Sequence, residues 1–117
     1  MHELAIVEAL IEQVQREVRR AGQAGRVLRV ELAIGRLSGV HCDCVRFAFK
    51  LLAPGTIVDG AAVEISQPRA VCRCRACGAA VEIDDLVVEC PRCQSAEITI
   101  AEGRQLLLQS IEIEDVP

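Results

Sequence analysis

Aromatic side chains are almost missing from this chain of 117 residues: it has no Trp and no Tyr, and Phe47 and Phe49 are its only two phenylalanines. Base stacking therefore has almost nothing to use. With 13 basic against 17 acidic residues and a net charge of −4, there is also no arginine-rich stripe to follow a phosphate backbone. No nucleic-acid partner is expected. No apolar run approaches the ~20 residues of a membrane span, and Met1-His2-Glu3 lacks the positive start of a signal peptide, so neither membrane nor secretion is expected. The glycines are scattered and no G-x-x-x-x-G-K-[ST] loop occurs, which argues against nucleotide binding. His2 and His41 are the only histidines, and no nucleophile has a recognisable base, so the chain does not read as an enzyme.

Cysteine is what the chain has in unusual supply. Cys74 and Cys77, then Cys90 and Cys93, form two C-x-x-C pairs separated by twelve residues. In each pair the two intervening residues let the backbone turn back, so that both sulfurs can face one centre; two such pairs close a tetrahedral site with no open position. This spacing predicts a structural Zn(II) held by Cys74, Cys77, Cys90 and Cys93. Gly78 frees the first turn and Pro91 presets a φ angle in the second. Seven cysteines cannot all pair as disulfides, and the expected compartment is a reducing cytoplasm. Four thiolates leave a charge of about −2 on the zinc complex, which solvated Arg73, Arg75 and Arg92 can offset.

Periodicity supplies the rest of the architecture. Leu4, Val7, Ile11, Val14, Val18 and Ala21 recur at three- and four-residue steps, as on one face of a helix that Gly22 and Gly25 then stop. From Val27 to Ile34 the period is two, with Leu28, Val30, Leu32 and Ile34 on the face expected to be buried. A second helix is expected to open at Ser38 or Gly39 and run through about Leu52, ahead of the breaker Pro54-Gly55. Ala62 to Ser66 and Leu106 to Glu114 read as further strands. The predicted fold is α+β: two helices packed on a three-stranded sheet, with an inserted four-cysteine zinc-ribbon-like module. Residues 1–69 plus 105–117 are expected to form the α+β domain and residues 70–104 the insertion.

The extreme amino end is a second candidate site. Initiator methionine is ordinarily trimmed only before a small residue, so Met1 is expected to stay, with a free amine next to His2. The Met1 amine, the His2 backbone nitrogen and the His2 imidazole can close two fused chelate rings, and the Glu3 backbone nitrogen can complete a planar set. Planar nitrogen coordination favours Ni(II) or Cu(II) over zinc. Because amide nitrogens must lose protons to bind, such a metal is released on acidification.

Met1-His2-Glu3-Leu4 opening an amphipathic helix, Ile34-Gly35-Arg36-Leu37-Ser38-Gly39-Val40, Arg46-Phe47-Ala48-Phe49 and the two C-x-x-C pairs together resemble the HypA/HybF family of hydrogenase nickel-insertion proteins, over nearly all of the chain. The resemblance implies a nickel metallochaperone in which Met1, His2 and Glu3 bind Ni(II) and the four cysteines hold Zn(II). It also implies a HypB-type GTPase and a hydrogenase large-subunit precursor as partners, with urease maturation factors for some members. Cys42 and Cys44, beside His41, lie where the family more often shows acidic or neutral polar residues; they read as helix-start fillers, as an extra soft-metal site, or as cysteines that oxidise to join subunits. Cys72 stands two positions before Cys74 and could replace it in the first knuckle, although the pair ending in Gly78 has the better geometry. Two rival classes remain: a rubredoxin-like iron centre, disfavoured because Gln94 stands where a glycine is expected after Cys93, and a ribbon that docks protein partners.

Overall fold

The computed structural model describes residues 2–115, and of His2 the backbone alone. The chain runs α1 (His2–Arg20), β1 (Val27–Ile34), α2 (Cys42–Leu52), β2 (Ala62–Ser66), β3 (Ala70–Cys74), β4 (Ala80–Ile83), β5 (Ile98–Ala101) and β6 (Leu106–Ile113). The strands form two three-stranded sheets, ordered β2-β1-β6 and β4-β3-β5. The fold is the expected α+β arrangement, and the inserted segment carries a sheet of its own, which periodicity over strands of only four or five residues did not reveal.

Two compact units divide the chain. The first comprises Met1–Leu32, Val40–Ile65 and Leu108–Pro117, the second Ala33–Gly39 and Ser66–Leu107. The second unit is thus wider than residues 70–104 and recruits a segment distant in sequence. The physical reason is a set of backbone hydrogen bonds: the N–H of Gly35 donates to the Gln105 carbonyl at 2.8 Å, Arg36 to Pro68 at 3.1 Å and Leu37 to Gly103 at 2.6 Å. Only glycine fits at this crossing, since a Cβ on Gly35 would collide with the backbone of Gly103. Arg36 and Arg69 both reach the Asp84 carboxylate, at 3.4 and 2.8 Å, adding side-chain ties to the same place.

In the first unit α1 buries Val7, Leu10, Ile11, Val14 and Val18, joined by Val27, Val30 and Leu32 of β1, by Val45, Ala48 and Phe49 of α2, and by Val58. Leu10 widens the predicted stripe, and Ala21 is exposed because the helix has ended. Its end is a Schellman motif: Gly22, at φ +69, donates to Arg19, and Gln23 donates back to Val18. Leu28 is 38% exposed although it shares the parity of Val30 and Leu32, while Ala33 is buried, so the pattern of alternating burial fails at both ends of β1. On the polar side of β1, Arg29 reaches Glu112 at 3.0 Å and Glu31 and Glu64 at 3.6 Å.

The second helix starts later than expected. Ser38 closes a turn onto the Gly35 carbonyl and Gly39 adopts φ +78, a left-handed conformation that helix cannot continue through. His41 is the N-cap residue, in extended conformation, and α2 begins at Cys42.

Candidate metal centre

Four sulfurs converge in the second unit, carried by two backbone turns built alike. In the first, Cys74 at the end of β3 donates its N–H to the Ala79 carbonyl, and Gly78 donates back to the Cys74 carbonyl at 3.1 Å. In the second, the N–H of Cys90 donates to Ser95 at 2.8 Å, and Gln94 donates back to Cys90 at 2.9 Å. Gly78 has φ +76 and Gln94 φ 63, so Gln94 takes up the left-handed conformation for which glycine is the easy residue. The missing glycine is therefore a difference in side chain and not in backbone.

The Sγ atoms of Cys74, Cys77, Cys90 and Cys93 all lie within 4.8 Å of one another. Two of the separations, Cys74 to Cys93 and Cys77 to Cys90, are 3.6 and 3.8 Å. A zinc–sulfur bond of about 2.3 Å puts the edge of a tetrahedron of sulfurs at about 3.8 Å, so the cage has the dimension a structural zinc requires. Backbone dipoles also favour charged sulfur here. The N–H of Cys77 points at Cys74 Sγ from 3.5 Å, and that of Arg92 at Cys90 Sγ from 3.4 Å.

These contacts set the titration of the cage. Amide donation from Cys77 leads the effects that lower the Cys74 thiol, and donation from Cys93 and Arg92 brings Cys90 down to about 7. At Cys93 the Ser95 amide pulls downward, but loss of water and the neighbouring sulfurs of Cys74, Cys77 and Cys90 outweigh it and push the thiol up to about 12. Four thiolates cannot sit this close without a cation: a bound metal must displace the remaining protons, which is the behaviour of a sulfur metal site.

Cys72 is not in the cage. It is buried with Ala70 and Ile83 in the small apolar cluster of the second unit, and burial leads the effects that raise its thiol. The pleat of β3 keeps Ala70, Cys72 and Cys74 on one side, and only Cys74 reaches the turn where the other sulfurs gather. Arg73, Arg75 and Arg92 are exposed.

Of the amino-terminal residues, Met1 and the His2 side chain lie outside the described residues. Glu3 is described: its carboxylate Oε2 accepts the His41 N–H at 3.4 Å, bringing the first turn of α1 to the start of α2 within the first unit. His41 and Cys44 are exposed and Cys42 is half-buried. Among the described residues, the four-sulfur cage is the only group of three or more His, Cys, Asp or Glu ligand atoms gathered this closely.

The sequence profile of the family described as "Hydrogenase/urease nickel incorporation, metallochaperone, hypA" matches residues 1–113. A hydrogenase maturation factor HypA from Chlorobium limicola is 40% identical over 115 residues, covering 98% of this chain and 98% of that protein. One from Chlorobaculum tepidum is 34% identical, over 97% of this chain and 100% of that one. Among solved structures, that of the Ni metallochaperone HypA from Helicobacter pylori shares the fold with a TM-score of 0.66 at 24% identity, over 95% of this chain and 96% of that one.

Proposed function

The chain belongs to the HypA family of nickel-incorporation metallochaperones, maturation factors and not enzymes, and we propose that it carries Ni(II) on its first residues for delivery to a nickel–iron hydrogenase. The observation that carries this reading is the family match, which takes in the chain from residue 1 and leaves only its last four residues outside. Cys74, Cys77, Cys90 and Cys93 hold the structural Zn(II); support comes from the size of the cage and its lack of an open position for a substrate.

The nickel is cargo. The Met1 amine, the His2 imidazole and backbone nitrogens of positions 2 and 3 supply its donors, and the helical ladder makes no use of backbone nitrogens in its first turn. Binding then needs no fold beyond the start of α1, and release needs only protonation or a competing ligand. With its carboxylate on the His41 amide, Glu3 is read as a backbone donor. The recipients are a hydrogenase large-subunit precursor, with a HypB-type GTPase as the energy-coupled partner and urease maturation as a second outlet. No disulfide joins the seven cysteines, which suits a reducing cytoplasm, and among the described residues no helix is long and apolar enough to cross a membrane.

Native mass spectrometry of untagged protein in nickel-containing buffer tests the reading. Wild type is expected to hold one zinc and one nickel, and His2→Ala one zinc alone. Nickel retained by the variant would refute the amino-terminal site.

A further inference from the structure

Of the two aromatic side chains in the chain, Phe49 is buried in the first unit while Phe47 is 61% exposed. Leu51, one helical turn on, is 56% exposed, and Cys44, one turn back, is exposed as well. Cys44, Phe47 and Leu51 follow one another at three- and four-residue steps, so they form an apolar stripe on α2 apart from the side that buries Val45, Ala48 and Phe49. We propose that this stripe is a self-association surface: two copies of the chain pair their α2 helices antiparallel, about a two-fold axis near Phe47, as a reversible dimer.

Charge decides what covers the stripe and in which direction. Asp43 and Lys50 stand two helical turns apart on one flank of it, both exposed, so the flank is acidic at one end and basic at the other. Antiparallel pairing sets each Asp43 beside the Lys50 of the other copy, and does so twice. Parallel pairing would set acid against acid and base against base and would align the two helix dipoles. Lys50 makes no ion pair among the described residues, and Asp43 reaches only Arg46, at 3.4 Å across open surface, so both are available to a second copy. A two-fold interface needs a surface complementary to itself, which this flank is. In the antiparallel register Phe47 meets Phe47, and Cys44 of one copy packs as a small apolar group against Leu51 of the other. Three apolar side chains per copy fall short of the ~800 Å² that a standard stable interface buries on each partner, so monomer and dimer exchange freely. None of these residues belongs to the zinc cage or to the donors at positions 1 to 3, and the inference does not rest on the nickel reading.

Sedimentation equilibrium of the zinc-loaded, nickel-free protein under reducing conditions tests this, over concentrations from about 10 μM to about 1 mM. Wild type is expected to move from the mass of one chain towards twice that mass. Phe47→Glu is expected to remain a monomer throughout, because it places two carboxylates on the axis. Lys50→Glu and Asp43→Lys are each expected to weaken association by at least about tenfold alone, and to recover it when the two variants are mixed in equal amounts, since every pair across the axis is then of opposite charge. Unchanged helical circular dichroism reports that each variant has folded. A wild type that stays monomeric, a dimer that persists in Phe47→Glu, or single charge variants that associate as wild type does overturns the proposal. So does a mixture no better than its components, or a dimer seen only when reductant is left out, which would be a disulfide-linked species.

Discussion

The two units of this chain reach stability by different routes. The first buries a dozen aliphatic and aromatic side chains from α1, β1, α2 and the loop that follows α2, among them Leu32, Val14 and Phe49. The second buries Ala33 and Ile34 at the end of β1 and a cluster of Ala70, Cys72 and Ile83, with Leu37, Val81, Val87, Ile98 and Ile100 only partly covered. It even leaves Leu86 and Val88 at 64% and 84% exposure. A unit of roughly fifty residues with so little apolar burial sits near the size at which a core alone seldom outweighs chain entropy. In the function proposed, four thiolates on one cation supply what packing does not. On the proposed reading, one unit is thus held by area removed from water, the other by coordination.

Removing the metal should break this contrast most severely. Stripping zinc with a chelator, or replacing Cys90 by Ser, is expected to abolish amide-exchange protection in β3, β4 and β5 while α1 and β1 keep theirs, because structural zinc binding is worth on the order of 10 kcal/mol. The same coordination fixes the pH response. Cys90 ionises at about 7, so a proton must be expelled from it below that pH, whereas Cys93, at about 12, must be deprotonated by the metal throughout. Zinc affinity is therefore expected to fall steeply as pH drops through 7 and to rise more gently above it, as read by competition titration across neutral pH.

A cavity in the first unit is the complementary perturbation. Leu32→Ala is expected to cost about 2–5 kcal/mol in denaturant unfolding and to leave zinc content unchanged. Gly103→Ala strikes the second unit without touching a ligand: φ is +75 and the new Cβ would lie 2.6 Å from that of Ala70. A loss of about 2–3 kcal/mol from the second unit is expected, visible as faster exchange in β3. The smallest effect is a gain. Gln94→Gly relieves a left-handed non-glycine residue and should stabilise the zinc-loaded second unit by about 0.5–1 kcal/mol after the extra unfolded-state entropy is counted.

The same contrast governs what the sequence disclosed. The helical stripe Val7, Ile11, Val14 and Val18 and the strand from Val27 to Ile34 are long enough for periodicity to speak, and the four-cysteine spacing announced a closed cage because ligand geometry fixes the gaps between donors. The strands of the second unit were illegible: each has four or five residues, and its partly covered side chains give no clean alternation. The start of α2 was misplaced because the Ser38 turn and the left-handed Gly39 belong to a segment drawn into the second unit by residues some seventy positions away. Gln94 misled in the opposite direction, since a side chain that dislikes positive φ occupies it all the same. The meeting of Glu3 with His41 is a tertiary contact that no local pattern could announce.

The account stands on one ion being built into the fold while the other travels. Wild-type protein loaded with both zinc and nickel and challenged with a chelator of graded strength, its remaining metals counted by native mass spectrometry, tests this most directly. Nickel should leave first and completely, with one zinc kept and the amides of β3 still protected. Zinc departing before nickel, or both leaving together as one transition, would contradict it.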